Sequence, residues 1–168
     1  MDDKLIEKFK SHMKIIATLC YVEDNGKVLM MHRNKKENDV HEGKYNGLGG
    51  KSEVGEDPYT CVVREVREEA GINIEPIYVA NITFENFLPG LDWEVHLFRA
   101  KGYSGELIDC LEGDLVWVEK DKLLDLNLWD GDKIFLKHIF EDRFFFGRFE
   151  YDDGKLVNHE LKFLHFIE

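Results

Sequence analysis

The segment Asp57–Gly71, DPYTCVVREVREEAG, constrains the fold more than any other. An acid followed by proline starts helices, because the acid caps free N–H groups and proline fits a first position that needs no N–H. A glycine suits the left-handed backbone just past a helix end. The spacing therefore predicts a helix over 58–70. Tyr59, Val62, Val63, Val66 and Ala70 form one face, which must be covered by an apolar surface. Glu65, Glu68 and Glu69 fall at i, i+3 and i+4 and share a neighbouring face. Such a chain needs a sheet for the first face and a use for the second.

Strand signals supply the sheet. KIIATLCYVE (14–23) and KVLMMHR (27–33) flank a DNG turn, the pattern of a hairpin. Further strands are expected at 75–85, 93–100 and 114–118, and two more in the tail around a DDG turn. The Phe-rich run 144–149 reads as strand core. A short helix over 3–12, a helical turn at 121–126 and a helix over 130–141 complete the pattern. NKKENDVHEGK (34–44) is a polar loop, and YNGLGGKSE (45–53) is glycine-rich and then extended. The expectation is an α+β chain with a mixed sheet, or an α/β/α sandwich. Its 168 residues fit one domain, 1–168.

The chain has a formal charge of −12 and no basic cluster, which argues against a nucleic-acid polymer as partner. No apolar run is long enough to span a membrane, and residues 1–14 lack the apolar stretch of a signal peptide. The three cysteines share no CxxC spacing, so reduced thiols in a cytoplasmic protein are expected. The seven histidines lack metal spacing and read as structural or surface residues.

Three acids on one face cost a helix roughly 0.2–0.5 kcal/mol per like-charged pair. They also occupy the end where the helix dipole disfavours them. Arg64 and Arg67 relieve part of this. A solvated acidic face is one reading of the pattern. The other is a site for a hard divalent cation, which takes oxygen ligands and leaves positions open for phosphates.

The wider stretch GKSEVGEDPYTCVVREVREEAGI (50–72) matches G-x5-E-x7-R-E-U-x-E-E-x-G-U, with U aliphatic, at every defined position. That pattern is the Nudix box, and the chain resembles the Nudix hydrolases. The resemblance implies an α/β/α sandwich with a mixed sheet and a loop–helix–loop metal site. It implies Mg²⁺, or Mn²⁺ in its place, held by Glu65, Glu68 and Glu69. Glu56 would sit in the loop beside the metals, Arg64 would brace the carboxylates, and the Gly50 carbonyl would be a further ligand. Glu112 matches by rough alignment a fourth carboxylate of relatives, though a plain turn acid is the other reading. Small nucleotides are the implied substrates.

Two segments outside the box bear on the substrate. YNGLGGK (45–51) resembles a segment of the MutT-type sanitising enzymes, and LWDGDKIF (128–135) resembles the tryptophan-plus-acid segment lining their base pocket. The implied activity is hydrolysis of oxidised purine nucleoside triphosphates such as 8-oxo-dGTP, with water attacking the β-phosphorus to release the monophosphate and pyrophosphate. This is nucleotide-pool sanitation in the service of DNA repair. Asn46 offers a donor and an acceptor to a purine edge. Asp132 can accept from the base, or donate if burial keeps it protonated. Trp129 can stack on it, and Lys51 can reach a phosphate. Each has a plainer reading: a turn residue, a helix N-cap, core packing and a surface lysine. Two departures stand out. Tyr45 replaces a tryptophan, and Gly131 stands where the animal enzymes carry one of two adjacent acids. Glu94 and His96 alternate on one strand and are expected to face the cleft. The alternatives are another nucleoside diphosphate-X substrate (ADP-ribose, a dinucleoside polyphosphate or an unmodified NTP) or a non-catalytic nucleotide-binding module.

Overall fold

A computed structural model describes residues 2–10 and 14–165 of the chain. Helix α1 covers Asp3–Lys10, and the last two positions of the expected 3–12 helix lie outside the described residues. Strands β1 (Ile15–Asp24) and β2 (Lys27–His32) form the expected hairpin. Asn25 and Gly26 in its turn have φ of 49° and 75°, the left-handed pair that a tight hairpin demands. After the polar loop come the short β3 (Tyr45–Asn46) and helix α2 (Pro58–Ala70).

Helix α2 begins and ends as its sequence dictates. The Asp57 carboxylate accepts from the Thr60 N–H at 2.8 Å, and Gly71 adopts φ 74° with its N–H on the Arg67 carbonyl. Then follow β4 (Ile72–Asn73), β5 (Ile77–Leu88), β6 (Leu91–Lys101), β7 (Ser104–Gly105) and β8 (Asp114–Glu119). A 3-10 turn over Lys120–Asp125 and helix α3 (Asp130–Phe135) lead to β9 (Phe145–Asp152) and β10 (Lys155–Phe163).

The main sheet runs β10-β9-β5-β6-β1-β2-β3, with β8 also on β2. It is mixed: β1 pairs parallel with β6 and β5 parallel with β9, and the other pairs are antiparallel. Strand alternation sorts the core into two layers. Cys20, Val22, Leu29 and Met31 pack with Val62, Val66 and Ala70 of α2 on one face. Tyr21, Met30, Ile82, Val95 and Leu97 pack with Phe135, Leu136 and Ile139 on the other. The result is an α/β/α sandwich. Each fully buried valine of α2 contributes roughly 1.5–3 kcal/mol, which holds the acidic face in a fixed orientation over the sheet.

Two expectations change. Helix α3 stops at Phe135, not at residue 141. His138 N–H bonds to the Phe135 carbonyl at 2.9 Å, so the chain tightens into i→i+3 turns. That spacing stacks Leu136 and Ile139, both buried, on the same side. In the Phe-rich run, Phe145 and Phe149 are core, whereas Phe146 faces outward and is exposed. Among the described residues, no helix is long and apolar enough to cross a membrane.

A buried ion cluster ties β1 to β6. The Arg99 guanidinium grips both Glu23 oxygens at 2.7 and 2.8 Å, and Lys120 donates to one of them.

Candidate active site

A cleft of about 530 Å³ opens beside the start of β1. One wall is acidic. Glu65 on α2 and Glu112 before β8 line it, with Gly49, Gly50 and Arg33. Glu69 is 8% exposed, and one of its oxygens accepts from the Gly49 N–H at 3.1 Å. A Cβ on Gly50 would lie 2.5–2.7 Å from the Glu65 carboxyl atoms, so only glycine lets that carboxylate sit here. Arg33 bridges Asp39 at 2.7 Å and Glu112 at 2.9 Å.

Burial and the closeness of its acids oppose ionisation in this wall. Burial pushes the Glu69 carboxyl up to about 9, and the charges of Glu112 and Glu65 add to this. Burial also raises Glu65, despite Arg64 beside it. Among the described residues, no three acidic, histidine or cysteine side chains are gathered into a ready-made metal cage. Mg²⁺ does not require one, since it binds through one or two carboxylates and keeps waters and phosphates as other ligands. The donor set is all hard oxygen, and the Gly50 cradle keeps Glu65 in place, so the residues fit such an ion.

The other wall is aromatic. Phe84, Phe87, Trp93 and Trp129 line it with Asn46 and Asp132. Asp132 is 6% exposed, and burial pushes its carboxyl up to about 7 against the opposing charge of Lys44. Lys44 lies 4.9 Å above the Trp129 ring. Acid wall and aromatic wall thus share one cavity, large enough for a phosphorylated heterocycle.

A NUDIX domain model matches residues 13–139. The chain belongs to the Nudix family. It is 30% identical to the zebrafish (Danio rerio) oxidized purine nucleoside triphosphate hydrolase over 148 residues, which is 87% of this chain and 93% of the relative. It is 28% identical to the mouse (Mus musculus) protein of the same name, over 68% of this chain and 74% of that one. The structure matches that of a mutator MutT protein from Bacillus halodurans with a TM-score of 0.78 at 32% identity, covering 88% of this chain and 97% of the other.

The Nudix box residues separate into distinct positions. Glu65 lines the cleft, and Glu69 lies buried behind that wall, bonded to the Gly49 N–H. Glu68 sits outside the cleft with its side chain 60% exposed. Arg64 is the hub between them, donating to Glu65 at 2.9 Å, Glu68 at 3.1 Å and both oxygens of Glu56 at 2.8 and 2.9 Å. Glu56 was expected beside the metals, but its carboxylate is spent on Arg64, whose hydrogen bonds hold it down at about 2. It orients the arginine. The Gly50 carbonyl, expected to be a ligand, gives one of its two lone pairs to the Thr18 N–H at 2.9 Å. Gly50 also supplies space for Glu65.

Outside the box, Asn46 is a strand residue opposite Met31, not a turn residue. Asp132 lies within the first turn of α3, whose cap is Trp129, so it is not the N-cap. Lys51 lines the cleft with its ammonium 5.4 Å from the Trp93 ring. Gly131 has a steric reason. A Cβ there would meet the Tyr151 hydroxyl at 2.8 Å, and that hydroxyl takes the Gly131 N–H at 2.9 Å. Tyr151 occupies the space a second acid would need. Glu94 and His96 do share a face, but the opposite one, because Trp93 and Val95 are the β6 residues that line the cleft. Sequence reasoning missed Arg33, Asp39, His41 and Trp93. The alternation of β6 pairs Trp93 with Val95 and could have flagged it, whereas the loop residues carry no periodic signal.

Proposed function

We propose that this Nudix hydrolase acts on oxidised purine nucleoside triphosphates such as 8-oxo-dGTP, releasing the monophosphate and pyrophosphate, and so cleans the cytoplasmic nucleotide pool. The observation that carries the reading is the buried Asp132 carboxyl on an aromatic wall that shares one cleft with the acid wall. Near neutrality Asp132 exists in both forms, so it can donate to a base oxygen or accept from a base N–H. Asn46 adds a second donor and acceptor. The names of the zebrafish and mouse relatives point the same way.

Glu65, Glu69 and Glu112 would hold Mg²⁺ or Mn²⁺, with Glu68 at the rim. The bound ion supplies charge neutralisation for the polyphosphate and a lowered pKa for water. Arg64 fixes Glu65 and Glu68 in rotamer. Lys36 and Lys51, which line the cleft, bring positive charge to the phosphates of a substrate otherwise repelled by a chain of −12. The acid wall takes the proton of the attacking water. The three cysteines, all buried free thiols, fit the cytoplasmic reading.

A substrate panel with Mg²⁺ tests this, with pyrophosphate and phosphate read separately over 8-oxo-dGTP, dGTP, dATP, ADP-ribose and a dinucleoside polyphosphate. A kcat/KM for 8-oxo-dGTP at least about tenfold above dGTP, one hydrogen bond's worth of discrimination, is the expected result, with pyrophosphate as product. A preference for ADP-ribose would overturn it.

A further inference from the structure

We propose that His41 is a positioning residue for Trp129, and through it sets the nucleobase selectivity of the cleft. The proposal rests on the reading of the aromatic wall as the base site. The polar loop 34–44 folds back over the cleft, and Lys36, Asp39, Val40 and His41 line it. The Trp129 Nε1–H donates to His41 Nδ1 at 2.9 Å. An indole N–H is only a donor, so Nδ1 must carry a lone pair and the neutral ring holds its proton on Nε2. Burial, then the charge of Arg33, hold the His41 pKa down at about 4, so the ring keeps that form at neutral pH.

The rings close on one another. His41 meets Trp129 edge-on at 5.8 Å and stacks with Phe87 at 5.9 Å, while Phe87 meets Trp129 edge-on at 4.8 Å. A hydrogen bond from Nε1–H fixes the rotation of the indole among these rings. The loop is itself clasped at both ends. Asp39 accepts the His41 N–H at 3.1 Å and the Arg33 side chain at 2.7 Å. Asn127 donates to the Gly43 carbonyl and accepts the Tyr45 N–H, each at 3.0 Å. An unbroken path therefore runs from Glu112 through Arg33, Asp39 and His41 to Trp129. A merely structural loop would have no need to end on the one tryptophan of the segment flanking Asp132.

Two variants separate positioning from bulk. His41→Phe keeps the ring and loses the acceptor, and His41→Asn restores an oxygen close to the place of Nδ1. For His41→Phe we expect KM for 8-oxo-dGTP to rise about tenfold with kcat changed less than about twofold, and the 8-oxo-dGTP over dGTP ratio to fall by a similar factor. His41→Asn should recover most of both. In ¹⁵N-labelled protein, the Trp129 indole N–H should be slow to exchange in the wild type and in His41→Asn, and fast in His41→Phe. Wild-type KM, ratio and indole exchange in His41→Phe would overturn the proposal. If the wild type shows no preference for 8-oxo-dGTP, the functional reading fails instead. Indole exchange and KM for the best nucleotide of the panel then decide the role of His41.

Discussion

Glu23 and Glu69 are each 8% exposed, yet their carboxyls move in opposite directions. Burial alone would raise Glu23, but Arg99 and Lys120 outweigh it and hold the group below the usual carboxylate range. Burial raises Glu69 to about 9, and the neighbouring acids Glu112 and Glu65 reinforce it. The first cluster carries its own cations and closes on itself, joining β1 to β6. In the second, the Glu69 oxygen accepts from the Gly49 N–H rather than from a cation, so the carboxyl keeps its proton at neutral pH. Similar exposure thus yields a structural lock in one place and an acid that keeps its proton in the other. The difference lies in how deeply each carboxyl is withdrawn from water and in which elements deliver the cations.

Substitution should split the two regions along that line. Glu69→Gln is expected to lower turnover by about 100- to 10,000-fold, while the metal-free protein melts no lower than wild type at pH 7, where the carboxyl it replaces is already neutral. Glu23→Gln leaves Arg99 buried without its carboxylate. It should cost about 3–5 kcal/mol of stability, or a Tm fall of about 10 °C, with kcat per folded molecule unchanged. Paired steady-state kinetics and thermal melts check both. A large loss of stability in Glu69→Gln would erase the distinction.

Asp132 sharpens the comparison because it has neither a gripping cation nor acidic neighbours. Its folded pKa stands near 7 against an ordinary 3.8. Below about pH 4 it is neutral in both states and costs little. As pH rises from about 4 to about 7 the unfolded chain ionises while the folded one does not, so stability is lost across that window and the loss levels off above it. Glu23 runs the other way, stabilising above its unfolded pKa and losing that effect as pH falls through its folded value. Asp132→Asn should therefore raise Tm at pH 8 and leave it nearly unchanged at pH 4. The gain at pH 8 has a ceiling on the order of 4 kcal/mol. The same variant should lose discrimination between 8-oxo-dGTP and dGTP. Melts across pH with the two-substrate kcat/KM ratio read both effects.

Helix α2 was legible to the residue, since Asp57, Pro58 and Gly71 mark its ends by local chemistry and its apolar face follows a helical period. The two hairpin turns were legible for the same reason: Asn25–Gly26 and Asp153–Gly154 adopt the left-handed backbone their residue types favour. What alternation could not decide was which side of the sheet is which. It put Glu94 and His96 on one face but could not say that the cleft takes Trp93 and Val95. Arg64 was read as a brace, yet its grip on Glu56 depends on how the loop before α2 folds back. In the sequence Gly131 reads as a lost acid, and only the position of Tyr151, twenty residues on, shows that a side chain there would meet its hydroxyl. The bond between His41 and Trp129 joins residues 88 apart and leaves no local mark.

The measurement that bears most directly on the acid wall is a Mg²⁺ titration of the thermal melt, in wild type and Glu69→Gln, without nucleotide. An ion bound only by the folded chain at about 100 times its Kd stabilises by about 2.7 kcal/mol, a Tm rise of roughly 5–10 °C for a chain this size. A rise in wild type that is mostly lost in Glu69→Gln is the predicted result. No Mg²⁺-dependent rise in wild type, or an equal rise in both, would contradict the assignment of this wall as the cation site.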